Sequence, residues 1–251
     1  MSQCSTWPTK SAAFPRFFTS RSCVTFHHCS PHTKNKKPSY AGCSLILRKN
    51  MAFADSAVEY AVEVGTSVFF DSGPRGKSLL SGTVEERKAH RHFLRMSDVL
   101  LLTADELLRW IFLKVLVIDP DGMPATMEVE SLTVIADPIL AGQELLKKGN
   151  RDKWVVVKMG SKGSILITKS GIICAPAFKV KIMDTDGCGD SFVAAIAFGF
   201  IHDIPLVTTL AFANAVGGAT AMGCGAGRNV ATLKKVVELI ETPDLNEDVK
   251  F

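Results

Sequence analysis

Apolar positions change period repeatedly along the chain, and the changes lay out alternating helices and strands. From Ala52 to Val64 they recur at helical spacing, with Ala57, Tyr60, Ala61 and Val64 sharing a face. Thr66-Ser67-Val68-Phe69-Phe70 is then a β-rich run ending at Asp71. Thr83 to Met96 predicts a charged amphipathic helix, with Thr83 as N-cap and Glu86 at the reciprocal capping position. Asp98 to Leu102 is a second buried strand. Strand, helix and strand at this spacing predict a βαβ unit and a parallel sheet. Further on, Asp137-Pro138 supplies an N-cap and a first-turn proline for a helix over Ile139 to Lys148, closed by Gly149. Trp154 to Lys158 and Ser164 to Thr168 read as strands on either side of a turn, Met159-Gly160-Ser161-Lys162-Gly163. The apolar-flanked run Phe178 to Met183 reads as a strand, and helical patterns follow from Phe192, over Pro205 to Met222, and over Asn229 to Glu241.

Two stretches break this rhythm. Residues 1–50 hold eight Lys or Arg, no acid, and prolines at 8, 15, 31 and 38. Such a segment is expected to be disordered and resembles an organelle transit peptide, which places the chain in a plastid first, with mitochondrion or cytoplasm as alternatives. Its removal also changes the electrostatic picture: the remaining chain has 21 bases against 25 acids, so nothing argues for nucleic acid. The second break, residues 107–128, combines Trp110-Ile111-Phe112-Leu113 with Asp119-Pro120-Asp121-Gly122 and fits neither neighbouring element. It reads as an insertion. Its apolar half is too short for a bilayer and is interrupted by Arg109 and Lys114, so no membrane role is expected. The seven cysteines are scattered without a C-x-x-C pair or metal-ligand spacing, which excludes a zinc site or disulfide framework as an organising feature.

The candidate chemistry sits in Asp184-Thr185-Asp186-Gly187-Cys188-Gly189-Asp190-Ser191-Phe192. A glycine turn feeding a helix lets a ligand approach the backbone, and the helix start offers N–H groups and positive dipole to phosphate. Asp190 at that mouth adds a carboxylate. A base for an alcohol beside donors for phosphate charge is what phosphoryl transfer to a hydroxyl requires. The same residues also suit a plain glycine turn with an Asp cap, and spacing alone does not separate the two. Gly76-Lys77-Ser78 imitates the end of a P-loop, but Asp71 stands where its first glycine is needed and Pro74 removes an N–H from the cradle.

The nonapeptide resembles the D-T-x-G-x-G-D signature of the ribokinase-like, PfkB-type carbohydrate kinases, and Phe70-Asp71-Ser72-Gly73-Pro74-Arg75 resembles a strand end of the plant members. The resemblance implies a ribokinase-like α/β fold, a mainly parallel sheet flanked by helices, over residues 51–251 apart from the insertion. It implies Asp190 as catalytic base, with Gly187, Cys188 and Gly189 forming the anion hole. It further implies nucleotide contacts from Lys158, Gly160, Gly163, Asn214 and Gly225. Glu106 would organise Mg2+ indirectly, and Asp184 with the loop Gly223 to Gly227 would surround a monovalent cation such as K+. The expected partners are ATP and a small sugar or nucleoside, with a homodimer or a partner protein left open.

Two departures qualify that expectation. The family's N-x-x-E motif is here Thr103-Ala104-Asp105-Glu106, which keeps the Glu and loses the Asn. Nothing in residues 1–50 resembles the family's N-terminal sugar-binding strands and lid, so the chain reads as N-terminally truncated. The expectation is an ATP-dependent kinase acting on a sugar or nucleoside hydroxyl, weakened by that loss. The alternative is a kinase-derived protein of an organelle that binds nucleotide or assists assembly without catalysis.

Overall fold

The computed structural model describes residues 23–26, 58–71, 83–104, 137–148, 151, 153–225, 227 and 230–246. Glu106, the stretch 107–128 and the loop holding Gly76-Lys77-Ser78 lie outside these residues. The chain divides into two units, one over Val24–Val157 and one over Lys158–Phe251 with Met1–Cys23.

In the first unit the strand order is β1 (Cys23–Phe26), β2 (Ser67–Asp71), β3 (Val99–Thr103) and β4 (Trp154–Lys158), the last residue of β4 opening the other unit. β2 and β3 run parallel, with Phe69 opposite Val99 and Asp71 opposite Leu101. Val68, Phe69, Val99, Leu100, Leu101 and Leu102 are all buried, so consecutive residues of each strand, on both faces, are out of water. That is the mark of an internal parallel strand, whose faces are both covered. Helix α1 (Val84–Met96) packs Ala89, Phe93 and Leu94 inward, and its Phe93 ring stacks on Phe70 at 5.5 Å. Helix α2 (Pro138–Lys148) starts as its sequence predicts: Asp137 Oδ1 accepts from the Ile139 N–H at 2.8 Å, and Pro138 occupies the first turn where its missing N–H costs nothing. Residues 58–63 are helical, with Val58 and Ala61 buried, while Tyr60 and Val64, expected on the same apolar face as Ala61, are exposed.

The second unit pairs β5 (Ser164–Thr168) with β6 (Gly171–Ala175) as an antiparallel hairpin. Its two-residue turn is held by Thr168 Oγ1, which accepts from the N–H groups of Ser170 and Gly171 at 3.2 and 3.1 Å. Helices α3 (Cys188–Ile201), α4 (Leu206–Ala221) and α5 (Leu233–Glu241) complete it. Thr232 caps α5, its hydroxyl accepting from the Lys235 N–H. α4 is rich in small residues, and Ala215 and Ala219 form a core with Phe178 and Val236, with Leu239 and Leu245 against it.

Several features differ from the sequence reading. β1 is a strand of the sheet inside residues 1–50, a segment expected to be disordered; its Cys23-Val24-Thr25-Phe26 run is β-prone despite the basic surroundings. Residues 178–183 do not form a strand: only Phe178 pairs, in a single bridge to Leu245, while Ile182 and Met183 are exposed. The alternation there has no partner strand over most of its length, and period alone cannot supply one. β6 is a strand that the apolar run at 171–175 did not announce by alternation. The helix after the 184–187 turn begins at Cys188 rather than Phe192.

Glycines in α3 and α4 give an internal contrast. A Cβ on Gly199 would come within 2.8 Å of Thr209 Cβ and closer still to that residue's outer atoms. Thr209 is fully buried and its hydroxyl donates to Ile204 O at 3.2 Å, so it has nowhere to turn. A Cβ on Gly217 would meet Cys188 O at 3.6 Å and Phe192 Cβ at 3.8 Å, ordinary contact. Gly217→Ala should therefore stabilise by roughly 0.5–1 kcal/mol through helix propensity. Gly199→Ala should destabilise by about 1 kcal/mol or more, overpacking outweighing the same gain. Thermal midpoints that move in opposite directions are the expected result; a common direction would mean the α3–α4 contact is looser than described.

Candidate active site

Every sequence-predicted site residue except Glu106 falls within the second unit, counting Lys158 at its first position. At the centre is the start of α3. Gly187 takes the left-handed conformation, φ 80°, which a side chain would disfavour, and it turns the chain so that Cys188 opens the helix. The Cys188 N–H makes a long bond to Thr185 O at 3.3 Å, and the Ser191 N–H closes the first turn on Gly187 O at 2.9 Å. The N–H groups of Gly187 and Gly189 donate to no group among the described residues. These are the orphan donors of a helix start, gathered where the dipole is positive.

Gly189 adds a second indication. Its backbone does not require glycine, and a Cβ there would meet nothing within 4 Å. Among the described residues neither conformation nor packing explains the missing side chain, whereas close approach of a ligand would. Asp190 follows in the first turn of α3 and is exposed at the same mouth. Cys188 adds a thiol that donates to Asp184 O at 3.8 Å. Burial pushes this thiol up from its ordinary value, and the Asp184 and Asp186 carboxylates push it further, so it stays neutral and is a poor nucleophile.

Asp184 ties the turn to the loop after α4. Its Oδ1 accepts from the Asp186 N–H at 3.0 Å and its Oδ2 from the Gly225 N–H at 2.7 Å, while the Met183 and Asp184 N–H groups both reach Ala221 O. The Asp186 N–H foremost, then the Gly225 N–H, hold the Asp184 carboxyl below the usual carboxylate range. A lowered value means the clamp is fully formed above the unfolded carboxyl's pKa and is lost as pH falls through the folded one. Gly225 itself has φ 80°, so the loop bends there without strain.

The turn after β4, expected to face nucleotide, is a 3-10 turn over Gly160–Lys162, closed by Met159 N–H to Gly163 O at 2.9 Å. Its two glycines are glycine for different reasons. Gly160, φ 59°, faces open space, whereas a Cβ on Gly163 would collide with the backbone of Ala175 to Ala177. Gly163 is accounted for by packing, and Gly160 is the one with room beside it. Lys158 precedes the turn at the end of β4.

The structure gives Asn214 work inside the fold. Its Oδ1 accepts from Ser164 Oγ at 2.8 Å, and its Nδ2 donates to Ala175 O and Pro176 O, both at 3.0 Å. The amide joins α4 to β5 and to the end of β6 with both donors committed. Ser164, buried and facing Asn214, is a partner that no sequence motif marked. A further residue without a sequence signal is Asn246, whose Nδ2 donates to Ser161 O at 2.9 Å.

Among the described residues no group of three or more His, Cys, Asp or Glu is placed to hold a metal ion, and no helix is long and apolar enough to cross a membrane.

Comparison with known proteins agrees with this geometry. A 1-phosphofructokinase of Haemophilus influenzae is 38% identical over 86 residues, covering 34% of this chain and 27% of that protein. A ribokinase of Lactococcus lactis is 31% identical over 110 residues, covering 43% of this chain and 36% of its own length. A protein from E. coli described as a candidate ribokinase II, solved in complex with ATP and Mg2+, superimposes with a TM-score of 0.58 at 22% identity, over 75% of this chain and 53% of that one. The fold is thus ribokinase-like, and the chain spans about a third or less of the length of these curated relatives and about half of that solved structure. Residues 66–233, about two thirds of the sequence and including the whole 184–192 turn, match the description pfkB family carbohydrate kinase, and the chain belongs to that family.

Proposed function

We propose that this chain binds ATP with Mg2+ and transfers the γ-phosphoryl group to a hydroxyl of a sugar or nucleoside. The observation that carries the reading is the start of α3, where uncommitted Gly187 and Gly189 N–H groups stand beside the exposed Asp190 carboxylate. Asp190 takes the proton of the attacking hydroxyl. The amides of 187–189 hold charge as it builds on the transferred phosphoryl group, a role worth more in a site from which water is excluded. Gly160, with open space beside it, lets the nucleotide phosphates come close to the turn after β4. Gly163 and Asn214 act one step back, holding that turn and the β5–β6 hairpin in place.

Mg2+ fits this arrangement as a companion of the nucleotide. It retains waters and binds through phosphates and one or two carboxylates, which needs no dedicated cage of protein ligands. Glu106 is the proposed carboxylate. Asp184 and the 223–227 loop are proposed to seat a monovalent cation, since the carboxylate there stays ionised and is tied to that loop through the Gly225 N–H. Exchanging K+ for a bulky organic cation and measuring ATP affinity reads that site. The basic, acid-free composition of residues 1–50 supports delivery to a plastid. A fluorescent fusion of those residues in plant cells should mark that organelle, and a diffuse signal would remove the proposal.

The reaction itself is tested by incubating the purified 251-residue chain with γ-labelled ATP, Mg2+ and a panel of sugars and nucleosides. Label appearing on an acceptor supports the reading. ATP binding without transfer to any acceptor would reduce it to a nucleotide-binding role, and absence of ATP binding would end it.

A further inference from the structure

The turn over Gly160–Lys162 is held at its base by local bonds alone: Met159 N–H to Gly163 O, Lys162 N–H to Met159 O, and Gly163 N–H to Gly160 O. It buries no residue, and Gly160 at its tip has φ 59° and open space around it. Left to itself such a turn would fray, because few apolar contacts and short-range hydrogen bonds give little resistance to local opening. One bond reaches it from far along the chain among the described residues: Asn246 Nδ2 to Ser161 O at 2.9 Å, across 85 positions.

Asn246 is itself firmly placed. Its N–H donates to Ala177 O at 2.9 Å, Leu245 bridges Phe178, and the Lys179 N–H donates to Asp244 O at 2.7 Å. Leu245 also packs against the core of Phe178, Ala215, Ala219 and Val236. The segment 175–179 is therefore a common base. Gly163 lies against its backbone, Asn214 donates to its first two carbonyls, and the chain end after α5 is clipped along it.

We propose that the C-terminal segment 244–246 is a strap on which Asn246 acts as a positioning residue, fixing the Gly160–Lys162 turn in the shape that receives nucleotide phosphates. This role requires no contact of Asn246 with nucleotide or acceptor. Asn246 acts through the Ser161 carbonyl, whose peptide plane carries the Lys162 N–H bonded to Met159 O, so that holding the carbonyl holds the turn. The nucleotide part of this rests on the function proposed above; the strap itself does not.

The test uses the full chain, with Asn246→Ala to delete the amide, Asn246→Asp to keep its shape without a donor, and Asn246→Gln to restore a donor. Lys179→Ala serves as control, because it removes only an exposed ion pair with Asp244 at 3.7 Å, of small expected worth. Two quantities are read: ATP–Mg2+ affinity, and amide hydrogen exchange over residues 159–163 without nucleotide. Loss of one hydrogen bond's ordering should weaken ATP by about three- to tenfold in the Ala variant and more in the Asp variant, with partial recovery in Gln. Exchange at 159–163 should quicken by a similar factor, while the nucleotide-free thermal midpoint moves by less than about 2 °C in each. Lys179→Ala should change neither quantity. If exchange at 159–163 stays unchanged in Asn246→Ala, the strap is overturned. If exchange quickens but ATP affinity does not fall, the turn is strapped yet does not set nucleotide binding, and the positioning role is overturned. If the unaltered chain binds no ATP while exchange still responds, the proposed function has failed and the strap has survived. A general fall in thermal midpoint that accounts for both changes would make Asn246 a stability residue only and would also overturn the proposal.

Discussion

Asp190→Asn should lower phosphoryl transfer by about 10²–10⁴-fold while leaving ATP affinity within a few fold. The substitution is close to isosteric and removes the proton acceptor, so the acceptor hydroxyl would have to attack without its base. The donors proposed to hold phosphate are backbone groups of Gly187 to Gly189, and they do not depend on the side chain at 190. Folding should suffer little. Asp190 lies in the first turn of α3, where its charge complements the helix dipole, and loss of such a charge costs about 0.3–1 kcal/mol. The informative comparison is Asp186→Asn. Asp186 is also an exposed acid of the turn, but its structural contribution is its N–H bond to Asp184, which the substitution keeps. Transfer within a few fold of normal in Asp186→Asn and abolished in Asp190→Asn would identify the base. Equal losses would mean that negative charge at the mouth matters rather than a proton acceptor at one position. Unchanged transfer in Asp190→Asn would refute the mechanism.

The turn at 184–192 was legible because its meaning is local. Two glycines, three acids and a helix start within nine residues mark a candidate phosphate mouth without reference to the rest of the chain. The helix boundary was misplaced by four residues for an equally local reason. Glycine is a poor helix former, so Cys188-Gly189-Asp190 reads as loop, yet left-handed Gly187 provides the reversal after which the helix can begin at once. β2, β3, β4 and β5 were legible from continuous apolar runs. Phe178 to Met183 shows the limit, since alternation predicts a strand only if something pairs with it, and here Leu245 pairs with Phe178 alone. Asn214 shows a different limit. Its position was marked by resemblance, but the groups that engage its amide, on Ser164, Ala175 and Pro176, lie 38 to 50 residues away. Partners at that range are decided by the packed fold, and no spacing rule points to them. Asp98 carries no local signal for the same reason, standing in the sequence simply as the first residue of a strand.

That residue carries a large expected stability effect in the first unit. Asp98 is almost wholly buried, with 2% of its side chain exposed, at the N-terminal edge of β3. Its Oδ2 accepts from the Val68 N–H at 2.9 Å at the start of β2, and Arg151 and Lys153, ahead of β4, reach the carboxylate at 3.2 and 3.3 Å. The side chain therefore joins the starts of three strands. In Asp98→Ala the Val68 N–H loses its buried acceptor, which costs about 1–3 kcal/mol. Removing one partner of a buried ion pair costs about 3–5 kcal/mol when the other charge stays buried. Arg151 and Lys153 are 30% and 56% exposed and can turn toward water, so only part of that second cost applies. A total of roughly 2–4 kcal/mol follows. For a protein of this size it should lower the thermal midpoint by about 5–15 °C. The backbone bonds of Asp98 persist in any variant: its N–H donates to Val68 O, and its carbonyl accepts from Lys153 and Trp154. The variant should fold to the same structure and be less stable. Asp98→Asn, which keeps an oxygen for Val68, should lose less than half as much. Catalytic groups of parallel α/β sheets lie at the C-terminal ends of strands, and Asp98 is at the opposite end of β3 from Thr103. ATP affinity of the folded fraction should therefore be unaltered below the new midpoint. A variant as stable as the original would show that Val68 and the two cations find other partners, and the hub would be a consequence of the strand arrangement rather than a cause of it.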